Sequence, residues 1–157
     1  MLKESVHNFF LLMVLQGFPE SLAMTMFVFS FVGLRLEPGK ILLVALLQTA
    51  TNLVLLLPIA FGVHTILLIF ALAFYVRLAT DARLSKVMVA VVGCFVIVGV
   101  TEFLYISPLL HLTGLSYVTV TASPGLSALF SLPYDVLLVV MALVKNQRNK
   151  KAGGFSA

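Results

Sequence analysis

Long apolar runs, each closed by a short polar or charged interval, set the pattern of this chain. Residues 19–34, 39–57, 63–79, 84–106 and 125–145 are each read as a helical crossing, judged against the roughly 20 apolar residues that a bilayer needs. Residues Ser5 to Leu34 look at first like one apolar stretch, but Gly17, Phe18, Pro19 and Glu20 interrupt it. Proline favours the first turn of a helix and a carboxylate suits its positive N-terminal end, so the pattern predicts a new helix from Pro19. The piece before it, Ser5 to Gln16, falls short of the ~17 residues of a span and is read as an interfacial or re-entrant half-helix at the outer face. Residues 58–62 make a tight uncharged turn, and residues 107–124 an outer connection in which Tyr117 to Thr121 is read as extended. Pro133 falls inside the last run and is expected to kink or break it.

The fold class expected is therefore all-α: a polytopic integral membrane helical bundle of about five transmembrane helices plus the N-terminal half-helix. Residues 1–145 form a single transmembrane domain, and residues 146–157 a basic, disordered tail inside the cell. Composition agrees, with 61% hydrophobic and 10% charged residues and a mean hydropathy of +1.14, far from soluble averages.

Charge adds an orientation. Arg35 with Lys40, Arg77 with Arg83 and Lys86, and Lys145 with Arg148, Lys150 and Lys151 flank the runs at alternate ends, while the intervening connections carry no Lys or Arg. That asymmetry is the positive-inside signature, which puts the protein in the cell membrane as a multi-pass protein with a cytoplasmic C-terminus and an external N-terminus. The net charge of +4 sits at loop edges and in the tail, so membrane lipids with anionic head groups are the expected partner and nucleic acid is not. The single cysteine, Cys94, lies inside an apolar run and reads as a small packing residue.

An ionisable side chain in hydrocarbon costs about 2.5 to 3.5 kcal/mol on insertion scales, so each one asks for a partner or a wet cavity. Glu20, Asn52, His64 and Glu102 all fall within about 8 Å of the outer boundary on this span assignment, at ~1.5 Å per residue. Asp135 falls about 15 Å from the inner edge, near the midplane. Bland readings exist for each: a helix N-terminal charge for Glu20, an interhelical hydrogen bond for Asn52, a water-interface position for His64, a cap on a broken helix for Asp135. Glu102, inside an otherwise apolar run, is the hardest to explain that way. Interrupted helices at membrane depth chiefly line protein or water, so the five residues together define an outward-facing polar pocket that binds a ligand. Gln16, Gln48, Thr49, Thr65, Thr101 and Tyr134 are further hydrogen-bonding candidates. His64 and Glu102 are weak metal-ligand candidates, since no HExxH or comparable spacing is present, and no cofactor is expected.

The stretch Gly17-Phe18-Pro19-Glu20-Ser21-Leu22, the turn from Leu57-Pro58 to His64-Thr65, Glu102 before a proline-bearing outer loop, and Leu132-Pro133 resemble the membrane sensor region of Firmicute receptor histidine kinases of the Agr-like or Spo0B-like type. The resemblance covers roughly residues 15–145. It implies a multi-span bundle that detects an external or membrane-borne signal. The sequence carries no phosphoacceptor-histidine helix or ATP-binding domain before Ala157, so kinase activity does not carry over. The expectation is a non-enzymatic sensor or receptor-like module that binds a small external or lipid-borne ligand and signals to a cytoplasmic or membrane partner, with a homodimer implied by the kinase analogy. The alternative is a small transporter or permease subunit with a proton or cation path through Glu102 and Asp135. An intramembrane metal-dependent enzyme ranks last.

Overall fold

The computed structural model describes residues 2–53, 62–153 and 155, with side chains from residue 7 onward. Every element among them is helical: α1 (Leu2–Leu12), a π-helical segment (Met13–Gly17), α2 (Phe18–Val32), α3 (Pro38–Thr51), α4 (Val63–Thr80), α5 (Leu84–Thr113), α6 (Tyr117–Ala122) and α7 (Pro124–Lys151). Four helices are long and apolar enough to cross a membrane: His7–Val32, Val63–Thr80, Leu84–Thr113 and Pro124–Lys151. They fit a multi-pass membrane protein. Of the expected crossing over 39–57, the part within Pro38–Thr51 is α-helical and residues 54–57 lie outside the described residues, as does most of the 58–62 turn.

The first crossing corrects the sequence reading. No new helix starts at Pro19, because Leu12 and Phe18 both keep right-handed helical angles and the Phe18 amide bonds to the Met13 carbonyl, five residues back. Proline lacks an amide hydrogen and crowds the carbonyl four residues before it. A wide turn placed just ahead of Pro19 absorbs that mismatch without exposing backbone to lipid. α1, the π segment and α2 are thus one continuous span, not a half-helix followed by a crossing.

The same constraint governs the other prolines. Pro133 stays inside α7 and Pro108 inside α5, which runs on to Thr113 instead of ending near Ile106. The Tyr117 to Thr121 stretch is helical, not extended: Ser116 caps α6 by accepting a hydrogen bond from the Thr119 amide at 3.2 Å. α7 continues through residues 146–151, which were expected to be disordered; Asn146 is buried, and Asn149 donates to the Ser30 carbonyl at 2.7 Å.

α2 is the hub. Its buried residues, from Ser21 and Ala23 to Phe29, Ser30 and Val32, lie on nearly every face, while α4 and α5 turn Phe70, Phe74, Val89, Val96 and Phe103 outward. α2 packs most extensively on α7, then on α3 and α5. Glu20 lies near Asp135, and Ser30 near Asn149, so α2 and α7 run side by side in the same direction. Lipid tails give apolar side chains no reason to prefer one another, so close packing and polar bonds of this kind hold such helices together.

α2 ends where Gly33 takes the left-handed conformation (φ 89°). There the Gly33 amide meets the Ser30 carbonyl and the Leu34 amide the Phe29 carbonyl, a closure that favours glycine. The chain then turns through Arg35 into α3, with Lys40 paired to Glu37 at 3.0 Å. Arg35, Glu37, Lys40, Thr80 and Phe155 surround one cavity, so the α2–α3 turn, the end of α4 and the C-terminal segment gather at a single end of the bundle. Arg35 lies 5.7 Å from the centre of the Phe155 ring. The basic residues that alternate along the sequence are thereby brought to one face of the protein.

Candidate functional site

Continuity of the first span moves Glu20 to a different depth. It lies thirteen residues from His7 and twelve from Val32, hence at the middle of its helix rather than near an outer boundary. Asp135 sits comparably deep in α7, eleven residues from Pro124. The two carboxylates come from neighbouring parallel helices and lie within electrostatic range of each other.

Tyr134 completes the centre. Its ring is buried, and its hydroxyl is the hydrogen-bonding neighbour of both Glu20 and Gln16. A phenol can donate to the carboxylate and accept from the Gln16 amide at once. Asp135 is 6% exposed. One of its oxygens, Oδ2, accepts from the Ser131 hydroxyl at 3.4 Å, and the other, Oδ1, has no hydrogen-bond partner. Glu102, on α5, is exposed at the side of the bundle but within electrostatic range of Glu20, and Tyr105, three residues on, feels Glu102, Asp135 and Glu20 together. The Tyr105 hydroxyl donates to the Phe130 carbonyl and so ties α5 to α7 beside the site.

α3 closes the opposite flank. Thr49 donates to the Ala45 carbonyl at 2.7 Å and reaches the Gly17 carbonyl at 3.5 Å. A methyl group on Gly17 would stand 3.1 Å from the Asn52 Nδ2 atom. Asn52 therefore packs on the π segment as a polar neighbour of the cluster. Gly17→Leu should push α3 off the first span at a cost of about 2 kcal/mol, read as a lowered unfolding temperature in detergent. Gly99→Leu, where a Cβ meets nothing within 4 Å, serves as the neutral control.

His64 is placed apart. It opens α4, half-buried and engaged in interactions of its own, and it is not among the groups that act on Glu20 or Asp135. Of the five residues singled out in the sequence, the structure thus gathers Glu20, Asp135 and Glu102, sets Asn52 against the adjoining π segment, and leaves His64 at another position. Tyr105 and Ser131 escaped the sequence reading, although each had a signal: they lie three residues after Glu102 and four before Asp135, spacings that share a helix face.

Among the described residues no group of three or more His, Cys, Asp or Glu side chains is placed to hold a metal ion. No Lys or Arg acts on Glu20 or Asp135 either; the ion pair found among the described residues is the peripheral one between Lys40 and Glu37. The centre offers carboxylate oxygens and phenol hydroxyls without a fixed positive charge. Such a set can hold protons, a small cation or a cationic group of a ligand. No protein-family model, curated protein or solved structure matches this chain.

Proposed function

We propose that this protein is a non-enzymatic membrane sensor module whose carboxylate centre, built by Glu20 and Asp135 beside Tyr134 with Glu102 at its exposed edge, takes up a small cation or a cationic group of a ligand. One observation carries the reading: the Glu20 and Asp135 carboxylates of two neighbouring helices lie within electrostatic range of each other deep in their spans, and among the described residues no basic group acts on them. Ionisable groups are expensive there and mark a site of ion or ligand occupancy more readily than a packing role. A bound positive charge would relieve the repulsion among the carboxylates and draw α2, α5 and α7 together.

The change has a route. α2 and α7 leave the centre side by side and meet again at the basic end, through the Asn149 side chain and the Ser30 carbonyl. By the charge rule that end faces the cytoplasm, where a signalling partner would read the altered spacing. Asn52, packed against the π segment, then acts at the margin of the site, while His64 stays apart from it.

Spin labels at the basic ends of α2 and α7, in protein reconstituted into liposomes, test the proposal. Titration with sodium, potassium and small organic amines should shift the inter-label distance in the native protein and leave it fixed in Asp135→Asn. Asn149→Ala, which removes a bond of about 1 kcal/mol, should keep cation affinity within a factor of about two and reduce the distance change.

Transport is the second reading, favoured by the position of Glu102 at the bundle surface and by Tyr105, which lies within electrostatic range of Glu102, Asp135 and Glu20 alike. A proton or cation flux into liposomes that disappears in Asp135→Asn would replace the sensor reading with this one.

A further inference from the structure

A cavity of about 660 Å³ lies between α2 and α5, away from the carboxylate centre. On one side stand Phe27 and Phe31, their rings stacked with centroids 4.1 Å apart; on the other are Val89, Gly93 and Ile97. The lining turns polar at one end only, where Ser85 and Lys86 open α5. That is the end at which Asp81, Arg77 and Arg83 close the α4–α5 connection, and Lys86 makes no ion pair among the described residues. Gly93 lines the groove and faces open space, for a Cβ built there meets nothing within 4 Å.

From this geometry we infer that the groove is a binding site for one anionic phospholipid, its phosphate at Lys86 and Ser85 and an acyl chain laid between α2 and α5. The dimensions agree. Ser85 to Ile97 rises about 18 Å along α5, close to the ~15 Å of one leaflet's hydrocarbon. The chemistry agrees as well: an ammonium group and a hydroxyl sit where a head group lies, and aromatic and aliphatic walls run where the tail lies. Two facing helices that meet elsewhere along their length but part around a glycine leave a slot that a flexible chain fills better than a rigid helix does. The anionic head group, and not the tail, is what Lys86 selects.

Native mass spectrometry of the full chain, extracted from vesicles of equal phosphatidylglycerol and phosphatidylcholine, tests the site. One phosphatidylglycerol should be retained per chain, about fivefold over phosphatidylcholine, the ratio that ~1 kcal/mol per basic residue corresponds to. Lys86→Gln, at an exposed position, should bring that ratio to about one without loss of the retained lipid. Gly93→Phe should remove the retained lipid of either kind, with helicity and unfolding temperature preserved. Equal retention of both lipids in the native protein, or a ratio indifferent to Lys86→Gln, would overturn the inference. So would a lipid-free dimer that Gly93→Phe dissociates, which would assign the groove to a second copy of the chain.

Discussion

Asp135→Asn should make the protein more stable and at the same time unresponsive. The native side chain is buried, with one oxygen on the Ser131 hydroxyl and the other without a partner, and it shares its surroundings with the Glu20 carboxylate. An amide of the same size keeps the shape, removes one of two like charges and can replace a carboxylate oxygen that has no partner by an N–H donor. The gain should be about 1–3 kcal/mol, the range for relieving a poorly satisfied buried polar group. Thermal unfolding in detergent would show it as a raised midpoint, and the cation-dependent change in α2–α7 spacing should vanish in the same sample. A lowered midpoint would mean that Asp135 is a structural partner in the bundle and not a binding group.

Tyr134→Phe should do the opposite, destabilising the protein by about 1–3 kcal/mol. The ring volume is kept and only the hydroxyl is lost, but that hydroxyl serves the Glu20 carboxylate and Gln16 together. Its removal leaves both facing a phenyl edge in a place that water does not readily reach. Glu20→Gln introduced beside it should recover about 1 kcal/mol, because the amide needs no donor from Tyr134. Additive losses in the double variant would show that the phenol and the carboxylate do not interact.

The apolar runs and their basic punctuation were legible without coordinates. Residues 63–79, 84–106 and 125–145 fall within helices, and the alternating Arg and Lys groups converge on one end of the bundle because short turns leave helix ends no other place to go. The depth of Glu20 was not legible. Gly17-Phe18-Pro19 has the local chemistry of a helix start, and only the five-residue-back hydrogen bond at Phe18 shows the helix passing through. Pro108 and Pro133 teach the same lesson, since local preference for a break yields where broken backbone would face lipid. The segment after Lys145 misled by composition. Lys, Asn and Gln look like a tail, yet α2 offers the Ser30 carbonyl to Asn149 and gives residues 146–151 a surface to follow. His64 was grouped with the carboxylates on shared depth alone, and depth says nothing about which side of a bundle a residue occupies.

The pairing of the first long helix with the last also dictates an order of assembly. When the early helices leave the ribosome, Ser30 and Glu20 have no α7 beside them, and the 91 residues between Val32 and Pro124 must be synthesised before it arrives. Until then the growing chain carries an unfinished polar seam, which a chaperone, a water-filled insertase or a loosely packed intermediate has to shelter. A message truncated after α5 would therefore yield an orphan that quality-control proteases recognise, rather than a smaller working bundle.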